Sequence, residues 1–233
     1  MQDQHIASAF DRDLEAIQAQ IMKMGGLVEN AILEAAISLE TRDEERAEAV
    51  RRADKSIDAL EELINEEAAR VIALRAPIAV DLRLVLSIIK VSANLERIGD
   101  YAKNMAKRNS VLSQLAPVDD SAGALRRMAK EVQRMLKDAL DSYVNRDAEL
   151  AQDVIDRDVE IDQMYNALFR EFLTFMMEDP RNITACMHLH FIAKNVERMG
   201  DHVTSIAEQV VYLVTGSTPD ETRTKGDQTS VQN

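Results

Sequence analysis

Glu96 and Asp100 stand four residues apart in NLERIGD (residues 94–100), and Glu197 and Asp201 do so in NVERMGD (195–201). Two upstream pairs, Asp54 with Asp58 and Asp158 with Asp162, repeat the spacing. On a helix, residues i and i+4 share a face, so each pair presents two carboxylates together. Such pairs hold oxygen-preferring cations such as magnesium, calcium, manganese or iron. In a pocket that drives their pKa values apart they serve instead as general acid and base. At roughly 100° per residue, Asp100 lies about 40° from Glu96, whereas Val91, Ile98, Ala102 and Met105 lie about 180–240° away. The carboxylates are therefore expected on outward faces, opposite the apolar stripe, where no pocket is expected. A solvated acidic face screened by Arg97 and Arg198 accounts for any single pair, while recurrence of all four favours cation binding. Gly99 lies beside Glu96, and a glycine inside a helix costs about 1 kcal/mol against alanine. It leaves room either for an ion with its waters or for a neighbouring helix.

The repeated phrase ends a longer self-similarity. TRDEERAEAVRRADKSID (41–58) aligns without gaps on NRDAELAQDVIDRDVEID (145–162), at an offset of 104 that also relates Met24 to Met128 and Val28 to Val132. The offset falls to 103 at Pro77 and Pro180 and to 101 at Glu96 and Glu197. A collinear series of this length marks duplication of one structural unit.

Each half divides into three helices. The first half places them at about 6–40, with MGG (24–26) as a weak point, at 43–75 with Asp43 as N-cap, and from Pro77 to about 113. The second half places them at about 121–145, 147–178 and 181–214, with Pro180 at the matching hinge. No segment alternates with period two, so the expected fold is all-α: six helices as two tandem, duplicated three-helix bundles arranged end to end. The first bundle spans residues 1–115 and the second 119–214. Residues 215–233 are polar and aperiodic and read as a disordered tail.

Composition narrows the function. A net charge of −13, from 41 acidic and 28 basic residues, repels nucleic-acid phosphate and anionic lipid. Cys186 is the one cysteine, which excludes an internal disulfide and reads as packing in a reducing compartment. The N-terminus carries charges throughout, unlike a signal peptide, and a cytoplasmic location is expected. His188 and His190 are two apart and point to opposite sides of a helix. His202 adjoins Asp201 and reads as a surface histidine. No Gly-rich phosphate loop or HExxH occurs.

Two ERIGD-like segments, NLERIGDYAKNMA (94–106) and NVERMGDHVTSIA (195–207), stand in register with DKSID (54–58), DVEID (158–162) and the link PIAVDLR (77–83). Together these resemble the PhoU family over about residues 5–214. The resemblance implies a non-enzymatic negative regulator of bacterial phosphate uptake and of the phosphate-starvation regulon. It implies a cytoplasmic adaptor, commonly a homodimer, between the ATPase subunit of the ABC phosphate importer and a sensor histidine kinase, reaching the membrane only through those partners. It also implies metal (iron, zinc, manganese or magnesium) at Asp54, Asp58, Glu96 and Asp100, and at Asp158, Asp162, Glu197 and Asp201. The second half departs from the pattern, with ACMHLH (185–190) in place of DLR and Ser205 in place of Asn104, so equivalence of the two sites does not follow. The residues alone also fit a metalloenzyme or metal store using the same carboxylates, or a purely structural helical module.

Overall fold

A computed structural model describes residues 2–118 and 120–217. The tail expected to be disordered lies, from residue 218 onward, outside the described residues. The helices are α1 (Gln2–Thr41), α2 (Glu44–Arg75), α3 (Val80–Leu112), α4 (Ser121–Asn145), α5 (Ala148–Glu178) and α6 (Ile183–Thr215), with a 3₁₀ turn at Pro180–Asn182 before α6. Among the described residues there is no strand. Scarce glycine and proline allow this length: α1 runs 40 residues, and MGG does not interrupt it.

The duplicated Arg-Asp dipeptide has a local function. Arg42 and Arg146 take left-handed conformations (φ 56° and 53°) at the ends of α1 and α4. The following amides of Asp43 and Asp147 donate back to Ser38 O (3.0 Å) and Ser142 O (2.9 Å), the hydrogen bond that closes a Schellman-type helix end. The same aspartates then start the next helix. Asp43 Oδ1 accepts from the Arg46 amide at 2.9 Å, and Asp147 Oδ1 from the Glu149 and Leu150 amides at 3.0 Å. One dipeptide thus stops one helix, caps the next and sets them antiparallel. Pro77 does not open α3 as expected. It lies in a link with Ala76 and Ala79, both at positive φ (46° and 50°), and α3 begins at Val80.

Helices α1–α3 pack mutually, as do α4–α6, which matches two three-helix bundles. The bundles are not end to end. They lie side by side, α1 along α4 and α3 along α6. Both contacts are antiparallel: Arg126 pairs with Glu40, and Gln133 Nε2 donates to Glu29 O at 3.4 Å. Along the other seam Asn94 meets His202 and Arg108 meets His188. Duplicated helices packed antiparallel on their own copies are related by an approximate two-fold. The arrangement follows from apolar arcs too wide for one partner. Helix α1 buries Ile17, Ile21, Met24, Val28, Ala31, Ile32, Ala35, Ala36 and Leu39, on sides that α2 and α3 cannot cover together. The four central helices α1, α3, α4 and α6 share one core, and α2 and α5 flank it.

The α1–α4 contact makes a test of the two adjacent glycines. A Cβ on Gly25 would fall inside van der Waals contact of the buried Leu140, whereas one on Gly26 meets nothing within 4 Å. Gly26→Ala should stabilise by about 0.5–1 kcal/mol through helix propensity. Gly25→Ala should lose that gain to overpacking and come out at least about 1 kcal/mol below Gly26→Ala in urea unfolding.

Candidate functional site

Helix α2 rests in the groove between α1 and α3, so its buried arc is broad: Ala47, Val50, Ile57, Leu60, Ile64, Ala68 and Val71. Asp54 sits within the rim of that arc and is 3% exposed. Helix α3 meets α1, α2 and α6, which brings Glu96 and Asp100 to the edge of its buried side. The same geometry in α5 and α6 buries Asp158, Asp162 and Glu197. The outward placement expected from the helical wheel is thus corrected. Three-sided packing widens the buried arc until its edge includes the carboxylates, leaving Asp58 exposed and Glu96, Asp100 and Asp201 half-buried.

The central glycines explain how the carboxylates come together. A Cβ on Gly99 would lie 3.0 Å from Ile57 Cδ1 and 3.8 Å from Asp54 Oδ1. One on Gly200 would lie 3.3 Å from Ile161 Cγ2 and 3.4 Å from Asp158 Oδ1. Each glycine therefore admits an isoleucine of the neighbouring helix and clears the carboxylate beside it. The first half brings Asp54, Asp58, Glu96 and Asp100 to one groove, and the second brings Asp158, Asp162, Glu197 and Asp201 to its copy.

Each cluster contains an ammonium that the sequence reading missed. Lys103 Nζ lies 2.5 Å from Asp54 Oδ2 and 3.1 Å from Asp100 Oδ1. It ties α2 to α3, and its bond to Asp54 above all raises its pKa, keeping it protonated. Arg97, expected to screen this site, reaches among the described carboxylates only Glu96, at 3.6 Å. In the second cluster Lys194 Nζ lies 2.9 Å from Glu197 Oε1 and 4.8 Å from the centre of the Tyr165 ring. Thr204 donates to Asp158 Oδ1 at 3.1 Å. The repeat offset of 101 shows an exchange: Lys103 aligns with Thr204, and Ala93 aligns with Lys194. Each half carries one lysine, at opposite ends of its carboxylate pair. The available signal was spacing, since Lys103 is three residues after Asp100 and Lys194 three before Glu197.

Burial, then the Asp54 charge, raises the Asp58 pKa, and burial, then Asp100, raises that of Glu96. Burial also raises the Glu197 pKa against the opposing pull of Lys194. Glu197 Oε2 is buried and accepts no hydrogen bond among the described residues. An all-carboxylate donor set with a spare buried oxygen suits a hard cation. As the side chains stand, no three His, Cys, Asp or Glu groups among the described residues are placed to hold a metal ion. The ammonium groups occupy the cationic role.

The remaining candidates resolve simply. His188 faces Arg108 on α3 (3.3 Å), while His190 packs on Tyr165 and Phe169 of α5, on opposite sides as expected. His202 is not a free surface histidine. Its Nδ1 lies 2.8 Å from Asn94 Oδ1, its ring stacks at 5.7 Å on Tyr101, and burial lowers its pKa. Cys186 is fully buried with its thiol pKa raised by burial, which matches a packing role. Among the described residues no helix is long and apolar enough to cross a membrane.

Two measurements test this electrostatic picture. Lys103→Met leaves Asp54 buried without its cation and should cost about 3 kcal/mol. Adding Asp54→Asn should recover most of that loss, so that the double mutant is far from additive. The pH dependence has a defined sign. A carboxyl whose folded pKa is raised contributes stability below its unfolded value and loses it as pH rises through the folded value. The stability of the wild type relative to Glu96→Gln should therefore rise as pH is lowered from about 7 to about 5, a difference from which the opposite contribution of His188, His190 and His202, whose pKa values burial lowers, cancels.

Comparison with known proteins places this geometry. The family model described as "PhoU domain" matches residues 21–108 and again 125–210. A Caulobacter vibrioides protein named phosphate-specific transport system accessory protein PhoU homolog is 43% identical over 224 residues, covering 96% of this chain and 97% of its own length. A Rhizobium meliloti protein of the same name is 44% identical over 230 residues, covering 99% and 97%. The crystal structure of PhoU from Pseudomonas aeruginosa superposes with a TM-score of 0.86 at 39% identity, covering 89% of this chain and all of that one. That of the phosphate transport system regulatory protein PhoU from Streptococcus pneumoniae gives 0.82 at 32%, covering 91% and 99%.

Proposed function

The chain belongs to the PhoU family, and from that premise we propose that it regulates phosphate transport as a negative regulator of uptake and of the phosphate-starvation regulon. In this reading it works in the cytoplasm as an adaptor, without catalysis of its own. Its partners are the ATPase subunit of the ABC phosphate importer and the sensor histidine kinase, and it acts as a homodimer. The observation that carries the role is near full-length similarity to proteins named as accessory to phosphate-specific transport. Two preformed charge clusters at helix–helix grooves supply the positions at which such an adaptor is biased. The test is a deletion strain carrying a phosphate-regulated reporter. Loss of the gene should switch the reporter on in high phosphate, and the intact gene should restore repression. Continued repression in the deletion strain overturns the proposal.

We further propose that the two quartets take up metal when Lys103 and Lys194 withdraw. Asp54, Asp58, Glu96 and Asp100 would hold it in the first half, and Asp158, Asp162, Glu197 and Asp201 in the second. A bound cation supplies the positive charge that the ammonium otherwise provides. Because the lysine and the cation compete for the same oxygens, metal affinity should be low in the wild type and should rise in Lys103→Met. Metal would also offset the stability that this substitution costs, by mass action on the native state. Glu96→Gln with Asp100→Asn should lower metal content per chain at the first site, and Glu197→Gln with Asp201→Asn at the second. Elemental analysis of protein purified without chelator or nickel resin checks this. Equal metal in the wild type and in both double mutants would mean that these carboxylates are not the ligands.

A further inference from the structure

The residues between the two acidic quartets carry the opposite charge. In ERIGDY (96–101) the arginine and tyrosine turn about 100–140° from Glu96, away from α2 and toward α6. In ERMGDH (197–202) the arginine and histidine turn likewise toward α3. The contact of Tyr101 with His202 shows that these two faces meet. Along α3 the same outer line holds Arg83, Lys90, Arg97, Asn104 and Val111, spaced by seven residues, and along α6 it holds Thr184, Phe191, Arg198, Ser205 and Tyr212, also by seven. Neither line contains a carboxylate.

The cations on this seam are open to a partner. Lys90, Arg97 and Arg198 are exposed. Among the described residues, Arg83, Lys90, Arg108 and Arg198 have no carboxylate at ion-pair distance, and Arg97 reaches only its neighbour Glu96. Arg108 lies over Phe191, at 4.5 Å, and Arg83 over Tyr212, at 5.3 Å. Phe191 is 45% exposed. In a chain of net charge −13 this is a positive, aromatic-edged stripe, bordered on both sides by carboxylates.

We propose that the α3–α6 seam is a docking surface for an acidic helix of a partner protein. The seven-residue spacing, about 10.5 Å per step along the axis, matches side chains of a third helix laid in the groove between two antiparallel ones. The aromatic edges supply apolar anchors of the kind that carry binding energy at interfaces. The flanking quartets favour a partner whose acidic centre is edged by basic residues, and they repel a uniformly anionic polymer such as nucleic acid. This surface extends the adaptor reading but is separate from the carboxylate clusters, and it is tested without metal.

The probe is a fluorescein-labelled, alanine-based helical peptide of about 22 residues with glutamates at heptad spacing, read by anisotropy at about 50 mM salt. The charge reversal Arg97→Glu with Arg198→Glu should weaken binding by about tenfold or more. Lys130→Glu with Arg170→Glu makes the same charge change on exposed faces of α4 and α5 and should weaken binding less than about twofold. Circular dichroism and sedimentation should be unchanged in both variants. Four results overturn the proposal. One is the absence of saturable peptide binding, and another is equal loss in the two double variants. A third is tighter binding of a DNA duplex of about 20 base pairs than of the peptide. The fourth is dissociation of a homodimer by the seam reversal, which would make the occupant a second copy. A reporter that stays repressed in the deletion strain bears on the adaptor role alone and leaves this binding measurement standing.

Discussion

Carboxylates at the rim of a packed helix pair need positive charge close by, and much of this structure follows from that need. The α2–α3 and α5–α6 grooves are drawn tight by Gly99 against Ile57 and by Gly200 against Ile161. Close approach takes Asp54, Asp158, Asp162 and Glu197 out of water. Burying one member of an ion pair without its partner is costly, so a cation must belong to each cluster. Lys103 and Lys194 meet that need from within the chain. Each long, flexible stem is also able to leave, which distinguishes it from a guanidinium locked in a bidentate fork. In the structure each groove is neutralised by its own lysine, and the proposed metal would have to displace that ammonium from the same oxygens.

The halves solve the same problem differently. In the first, one ammonium spans Asp54 and Asp100 and so links two helices, with Asp58 the most exposed of the four carboxylates. In the second, Lys194 bonds Glu197 on its own helix, and Thr204 reaches across to Asp158. The second cluster is the deeper, and among the described residues one oxygen of Glu197 accepts no hydrogen bond. Duplication copied the carboxylates and the glycines but exchanged the position of the counter-charge. Two sites of one ancestry therefore differ in where the ammonium stands: Lys103 bonds Asp54 and Asp100 from beyond its acidic pair, while Lys194 bonds Glu197 from before it and lies over Tyr165 of α5.

Much of the fold was legible from the chain itself. The offset of 104 from Met24 to Asp58 announced duplication. Asp43 and Asp147 announced helix starts, because a cap is a local interaction written within a few residues. Side-by-side packing of the bundles was not legible, since a broad apolar arc does not say which element covers it. The carboxylate spacing was read correctly and their burial was not. The wheel placed Val91, Ile98, Ala102 and Met105 correctly in the core, but it could not show that packing on three sides carries the buried arc round to the carboxylates. Lys103 and Lys194 lie outside the acidic pairs, three residues after Asp100 and three before Glu197, where an i,i+3 ammonium still reaches the carboxylate. His202 was taken for a surface residue because its burial depends on α3, a contact between sequence-distant helices.

The seven residues that recur in each half serve three environments at once. Ile98 and Gly99, with Met199 and Gly200, face inward to the core. The glutamate and aspartate turn to the groove with the neighbouring helix of the same half. The arginine turns to the seam with the other half, beside Tyr101 or His202, where both arginines act on the half-buried imidazole. A substitution in this phrase therefore alters packing, cluster charge or seam charge according to its angle on the helix. Because α3 and α6 each border both a cluster and the seam, a shift of either helix that opens its acidic groove also moves the basic stripe. The helix that holds the counter-charge and the helix that lines the seam are the same one in each half: Lys103 lies on α3 and Lys194 on α6.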